Sequence, residues 1–182
     1  MQKYDLGKEL EMSAAKCDLK QVRVLLKQGA PVNFRDDGTP LYYAANSECI
    51  DVVTELLRAG ANPNLGCLTS TVGETPLLCS METGNLQIIQ TLINGGADVN
   101  QPDIRGQTPL IAACLRSRFG AAQILLSSGA NPQIKDQYGN TPLSICLIGP
   151  APNSGWPGWP GKEYWSDRIA IILAIVWGFW II

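Results

Sequence analysis

Apolar residues recur along this chain in pairs that lie one helical turn apart. One set of pairs stands at 52–53 and 56–57, and another at 88–89 and 92–93. Pairs spaced in this way share one face of a helix, which indicates an amphipathic helix with one buried side. Shorter segments upstream contain small residues, as at 44–45 and 112–113, which allow a neighbouring helix to approach closely. The pattern predicts a series of short helix pairs.

Two short markers punctuate this pattern at a fixed spacing. Thr-Pro-Leu begins at residues 39, 75, 108 and 141, and Gly-Ala begins at residues 29, 60, 96 and 129. In the three complete pairs, 39 to 60, 75 to 96 and 108 to 129, the Thr and the Gly are 21 residues apart. Thr before Pro is typical of a helix start, because the Thr side chain caps free N–H groups and Pro at the first helical position loses no hydrogen bond. The Gly predicts a helix end, because it adopts a left-handed conformation without strain.

Turns complete each unit, since Asp103 and Gly106, and likewise Asp136 and Gly139, occupy the first and fourth positions that a type I turn prefers. A turn and two helices repeated about every 33 residues resemble the ankyrin repeat. The resemblance covers residues 5–149, with a degenerate first unit beginning at Lys8 and a fifth unit beginning at residue 141. It implies an all-α fold, an ankyrin-repeat solenoid of stacked helix-turn-helix units with β-turn or hairpin fingers.

The composition excludes several classes of catalytic and ligand-binding site. The chain has no histidine, which excludes Ser-His and Cys-His catalysis and histidine-ligated zinc. Nucleotide-binding glycine motifs and the G-x-S-x-G nucleophile motif do not occur in it. Its 14 basic and 16 acidic residues argue against a nucleic-acid surface spread over the whole chain. We therefore predict no enzymatic activity, no catalytic residues, no metal and no cofactor.

The six cysteines are at least 12 residues apart and form no C-x-x-C pair. Residues 1–12 carry five charged side chains and no apolar run, so they predict no secretory signal. We therefore predict a cytoplasmic protein, with the nucleus as an alternative, whose cysteines are reduced and mostly buried.

The last 33 residues depart from the repeat pattern. All five tryptophans lie within the final 27 residues, and residues 169–182 are uncharged and almost wholly apolar. The sequence thus predicts an ankyrin repeat domain at 1–149, a Pro/Gly/Trp linker at 150–168 and a hydrophobic segment at 169–182. Three interpretations of that segment stay open: a helix that docks on the fifth repeat, a membrane-associated segment, and a tail not selected for folding. A helix of 14 residues spans about 21 Å, which is short of the ~30 Å hydrocarbon core.

The resemblance implies a non-enzymatic adaptor or scaffold that binds another protein, not a nucleic acid, on the concave side of the array. A membrane-tethered ankyrin protein, anchored by residues 169–182, is the alternative. The turn between the second and third units is three residues longer than the later ones, either as a specificity element or as a neutral insertion. Position by position, the resemblance implies contact residues at the turns and first helices, namely Tyr43, Asn46, Ser47, Val72, Glu74, Glu82, Thr83, Arg105, Gln107, Leu115, Arg116, Tyr138 and Asn140.

Overall fold

The computed structural model describes residues 3–67, 73–148 and 165–176, and within those ranges it contains ten α-helices and no strand. The helices follow one another as five pairs, which confirms the all-α repeat fold. Each Thr-Pro-Leu marker begins a helix at its Pro, as predicted. The helices are α1 Lys3–Ala15, α2 Leu19–Lys27, α3 Pro40–Asn46, α4 Ile50–Arg58, α5 Pro76–Thr83, α6 Leu86–Asn94, α7 Pro109–Leu115, α8 Phe119–Ser127, α9 Pro142–Ile148 and α10 Trp165–Val176.

The two markers act as the sequence predicts. The Oγ1 atom of Thr39 accepts a hydrogen bond from the backbone N–H three residues later at 3.1 Å, and Thr75, Thr108 and Thr141 do the same at 3.1 to 3.3 Å. The glycines of the four Gly-Ala markers have φ angles from +83° to +91°. These helix starts and ends are local properties, because each needs only residues within one turn.

The chain divides into two compact units, Met1–Asp98 and Val99–Ile182. In the first, called unit 1, α1, α3 and α5 pack side by side, and α2, α4 and α6 form a second layer behind them. Its largest fully buried side chains include Leu41 and Leu77, the leucines of two markers, and Ile88 and Leu92 of α6. Both layers therefore contribute to one apolar core, as the helix-pair pattern predicts.

An asparagine clamp joins consecutive repeats. The Nδ2 of Asn64 donates to the carbonyl oxygen of Gly96 at 3.2 Å, and its Oδ1 accepts from the backbone N–H of Asp98 at 2.8 Å. Asn33 makes the same pair of bonds one repeat earlier, and Asn100 makes it one repeat later within the second unit. Each clamp satisfies a backbone donor and an acceptor that follow a helix end, and so fixes the register of stacking.

In the second unit, unit 2, α7 packs on α8 and α9, and α10 packs on α8 and α9. The tail helix therefore docks on the fourth and fifth repeats, as the docked-helix interpretation predicts. Ile171 is fully buried, while Leu173 and Val176 remain 45% and 58% exposed. The helix begins at Trp165, inside the segment predicted as a linker. Residues 149–164 and 177–182 lie outside the described residues, so the predicted domain boundary at 149–150 stays a prediction.

None of the helices in the described ranges is both long enough and apolar enough to cross a membrane.

The prediction that all cysteines are reduced is wrong for one pair. Cys17 and Cys49 form a disulfide with their Cα atoms 5.4 Å apart. Their 32-residue separation gives no local sign of this pairing, which arises because stacking brings two turns together. The other four cysteines, Cys67, Cys79, Cys114 and Cys146, are buried thiols outside any disulfide, which agrees with the prediction for them.

Candidate functional site

The solvent-facing side of α1, α3 and α5, with the turns that precede α3 and α5, is called the inner face of unit 1. Most of the contact residues predicted within unit 1 lie on this face and keep some solvent-accessible surface. Asn46, Ser47 and Glu82 are exposed, whereas Tyr43, Glu74 and Thr83 are partly buried. Val72 lies outside the described residues. The structure therefore brings six of these positions together on α3, α5 and the residues next to them.

A pair of tyrosines forms the aromatic part of this face. The rings of Tyr42 and Tyr43 meet edge to face, with centroids 5.6 Å apart. They pack over Gly38, where an added Cβ would lie 3.1 Å from the Tyr42 ring and 3.3 Å from the Tyr43 ring. The hydroxyl of Tyr42 donates to Oε2 of Glu74 at 3.4 Å. Burial raises the pKa of both tyrosines, so the phenols stay uncharged at neutral pH and provide polarised ring surfaces.

A charged network borders the tyrosines. Oδ2 of Asp36 accepts hydrogen bonds from Nζ of Lys8 at 2.8 Å and from the hydroxyl of Tyr4 at 3.1 Å. The bond from Lys8 lowers the pKa of Asp36, whereas burial raises the pKa of Glu11. Oε1 of Glu11 also accepts from the backbone N–H of Asp36 at 3.3 Å. The network holds the turn before α3 against α1, and within it the Asp36 carboxylate keeps some accessible surface whereas Glu11 is buried.

Two candidates also have structural roles within the repeats. Oδ1 of Asn46 accepts a hydrogen bond from the thiol of Cys79 at 3.2 Å, across neighbouring inner helices. The hydroxyl of Thr83 donates to the carbonyl of Ser80 and accepts from the backbone N–H of Asn85, both at 3.3 Å. Substitution of either residue therefore perturbs local structure as well as the surface.

The longer turn is closed at its base. The backbone N–H of Cys67 donates to the carbonyl oxygen of Glu74 at 2.9 Å, and the Cys67 thiol donates to the carbonyl of Asp37 at 3.2 Å. An added Cβ at Gly66 would lie 2.7 Å from the carbonyl oxygen of Gly73, so glycine is required there. The two ends of the insertion are thus tied together and to the preceding turn.

In unit 2, the turn before α7 exposes Arg105. A single carboxylate oxygen of Asp103 accepts from the backbone N–H groups of Arg105 and Gln107, each at 2.8 Å. The carbonyl of Arg105 accepts from the backbone N–H of Gln137 in the next turn at 2.8 Å. Tyr138 in that turn is 37% exposed. Arg105, Gln107 and Tyr138 therefore lie on neighbouring turn tips, as predicted.

Two unit 2 candidates are buried, which corrects their assignment as exposed contact residues. Leu115 is only 4% exposed, because an apolar side chain at the end of α7 gains free energy by burial. Asn140 is 7% exposed, and both its side-chain and backbone N–H groups donate to the carboxylate of Asp136 at 2.8 Å. Arg116, next to Leu115, is partly buried, and its guanidinium donates to the carbonyl of Ala112 at 3.4 Å.

Sequence reasoning missed the contribution of the first repeat. It assigned no site residue before Tyr43, yet Lys8, Glu11 and Asp36 lie together next to the inner face. The 21-residue spacing from Lys8 to Gly29 aligns Glu11 with Tyr42, which was not a predicted contact residue either, so the repeat pattern gave no signal for Glu11. In the part of the chain that the structure describes, no three potential ligands cluster as a metal site would require.

Comparison with known proteins agrees with this geometry. A family model for ankyrin repeats in three copies matches residues 2–67 and 64–136. A palmitoyltransferase of Kluyveromyces lactis is 37% identical over 92 residues, which is 47% of this chain and 12% of that protein. A BRCA1-associated RING domain protein of Caenorhabditis elegans is 36% identical over 48% of this chain and 12% of its own length.

A fowlpox virus protein, whose name describes ankyrin repeats, is 38% identical over 45% of this chain and 56% of its own length. The chain therefore spans only a small part of the length of the first two relatives. The family model, by contrast, matches well over half of the chain. The chain belongs to the ankyrin repeat family, whose repeats serve as protein–protein interaction modules.

Proposed function

We propose that this chain is a non-enzymatic adaptor or scaffold that binds another protein through the inner face of unit 1. The observation that carries the proposal is the side-by-side packing of α1, α3 and α5, which places Asn46, Ser47 and Glu82 on one exposed side next to Tyr43. Tyrosines are enriched among the side chains that dominate binding energy at interfaces. A rigid helical platform also presents such residues with little loss of conformational freedom on binding.

The charge of this face favours a partner with a basic surface. The inner helices of unit 1 and the turns before α3 and α5 carry seven carboxylates against three basic side chains, and one of the three, Lys8, already pairs with Asp36. Ion pairs with carboxylates and cation–π contacts with tyrosine both favour Arg and Lys on the partner. The charged residues are Asp5, Glu9, Glu11, Asp36, Asp37, Glu74, Glu82, Lys3, Lys8 and Arg35, of which Glu11 is buried.

Reversing the charge of the inner face tests the proposal. We expect the double variant Ser47→Arg, Glu82→Arg to weaken binding of the captured partner at least about tenfold, because both positions are exposed and the change opposes a basic surface. Partners are identified by affinity capture with the unaltered chain, and their affinity is then measured by titration.

A matched control carries the same change in charge on the second layer. Asp51→Arg with Gln87→Arg alters two exposed residues of α4 and α6, and we expect it to leave affinity within about threefold. If the inner-face variant retains the same partners at the same affinity, the proposed face is wrong. Loss of binding in both variants would assign the effect to net charge rather than to this face.

We also propose that the protein acts in the cytoplasm, with the nucleus as the alternative, and does not bind nucleic acid. The absence of a net basic charge supports the second statement.

Attachment to a membrane through the apolar tail is the second candidate function. Leu147, Leu173 and Val176 of unit 2 expose 53%, 45% and 58% of their surface, which favours contact with an apolar environment. We expect the full chain to stay in the membrane pellet after a carbonate wash, and the variant Leu173→Ser, Val176→Ser to be released.

The control for that experiment is Leu86→Ser, which replaces a leucine of unit 1 that is also 45% exposed and should leave the protein in the pellet. Recovery of the unaltered chain in the supernatant would rule out this anchor, with no bearing on binding by the inner face.

A further inference from the structure

The disulfide joins equivalent parts of the first two repeats. Cys17 lies in the turn between α1 and α2, where its φ angle is +58°, and Cys49 is the residue immediately before α4. Both turns connect the inner layer to the second layer, one repeat apart. Their Cα separation of 5.4 Å lies within the usual range of a disulfide. The bond therefore fastens the first repeat to the second.

One sulfur atom of this pair is accessible to solvent. Cys17 is exposed, whereas Cys49, at 7% exposed, is buried like Cys67, Cys79, Cys114 and Cys146. Thiol–disulfide exchange needs a path for an attacking thiolate to a sulfur atom. In the described part of the chain, the exposed Cys17 side provides that path.

The surroundings accommodate the reduced pair as well. The Sγ atoms of Cys17 and Cys49 lie 3.7 Å and 3.4 Å from the same acceptor, the carbonyl oxygen of Ser47. A thiol released at either position can thus donate a hydrogen bond without rearrangement of the turn. Ser47 itself belongs to the inner face, so the disulfide lies directly beside the proposed binding surface.

The disulfide adds to other contacts between the first and second repeats. Helix α1 packs against α3, and α2 packs against α4. Polar ties between the two repeats include the 2.8 Å bond from Lys8 to Asp36, the Asn33 clamp, and the 2.8 Å pair between Arg23 and Glu55. Local opening of the first repeat breaks these contacts, and the disulfide restrains that opening covalently.

We propose that Cys17 and Cys49 form a redox-reversible staple that controls the opening of the first repeat. A dithiol reductant attacks the Cys17 sulfur, the bond to Cys49 breaks, and the Cys49 thiolate takes up a proton. The second thiol of the reductant resolves the mixed disulfide, which leaves two cysteine thiols and an oxidised cyclic reductant. A small disulfide such as oxidised glutathione reverses the two-electron change. Without the staple, α1 and α2 open locally and the inner face loses its first helix.

Hydrogen exchange on the full chain tests the staple independently of any binding partner. After a dithiol is added, we expect amides of residues 3–27 to exchange roughly 30- to 1,000-fold faster, because a disulfide of this loop length strongly restrains the open state. Amides of residues 76–94 serve as an internal reference and should change little. Oxidised glutathione should restore the slow exchange.

Cysteine variants and alkylation test whether the exchange response depends on the disulfide between Cys17 and Cys49. Cys17→Ser with Cys49→Ser should exchange rapidly in residues 3–27 with or without dithiol, whereas Cys114→Ala, at a buried free cysteine, should keep the full response. Iodoacetamide should modify Cys17 under native conditions only after reduction. The proposal would be overturned if iodoacetamide modified Cys17 in protein that was never exposed to reductant. It would also be overturned if the dithiol did not change the hydrogen-exchange rates of residues 3–27 in the unaltered chain. Both measurements use the unaltered chain, so failure of a variant to fold does not affect them.

Discussion

Replacing Leu41 by alanine is expected to lower the free energy of unfolding by about 2–5 kcal/mol. Leu41 is the leucine of the first Thr-Pro-Leu marker and is fully buried. It lies in α3, which packs against both α1 and α5, so neighbours on two sides hold its surroundings in place. The surrounding helices can therefore collapse only partly around the missing methyl groups, and the cavity term adds to the lost burial.

Chemical denaturation followed by circular dichroism measures this loss. Leu86→Ala is the control, because Leu86 is a helical leucine of the same unit that is 45% exposed, and its replacement should change the free energy by less than about 0.5 kcal/mol. A Leu41→Ala protein as stable as the Leu86→Ala protein would contradict the position of α3 at the centre of unit 1.

Replacing Asn64 by alanine is expected to cost about 1–3 kcal/mol, because it removes both bonds of the asparagine clamp. The carbonyl of Gly96 and the backbone N–H of Asp98 then lose their 3.2 Å and 2.8 Å partners in the neighbouring repeat. Since the clamp joins two repeats, its loss should also reduce the cooperativity of unfolding.

Gln133→Ala provides the matched control. Gln133 occupies the equivalent position in the fourth repeat, and its backbone N–H donates to Asn131 as that of Asn64 donates to Asn62, at 2.9 Å in both cases. No Gly-Ala marker follows it in the sequence, so the acceptor repeat that a clamp requires is incomplete. We expect a change of less than about 0.5 kcal/mol. Equal losses for Asn64→Ala and Gln133→Ala, both measured by urea denaturation, would mean that the clamp contributes nothing.

Much of the fold follows from local sequence. The Thr caps at residues 39, 75, 108 and 141 each need only a side chain and a backbone N–H three residues away. The second helices follow from apolar pairs one turn apart, as in α4 and α6. Signals of this kind repeat in every unit, so each one reinforces the assignment of the others.

The candidate site was predicted less completely, because exposure depends on what packs against a residue. Leu115 holds the same repeat position as the exposed Asn46 and Glu82, yet it is buried. Asn140 is withdrawn from solvent by Asp136 at the start of its own turn. Lys8 and Asp36 are 28 residues apart, and their pairing depends on the docking of a turn against α1.

The sequence by itself determined the repeat, its period, the ends of its helices and the buried face of each, because hydrogen bonds and hydrophobic periodicity within a few residues decide these features. Only the tertiary structure decided that Cys17 meets Cys49, that α10 docks on α8 and α9, and which inner-face side chains remain accessible. Those outcomes depend on contacts between residues a repeat or more apart. Such contacts form only when the helices stack, and the spacing of residues within one repeat does not predict which side chains will then meet.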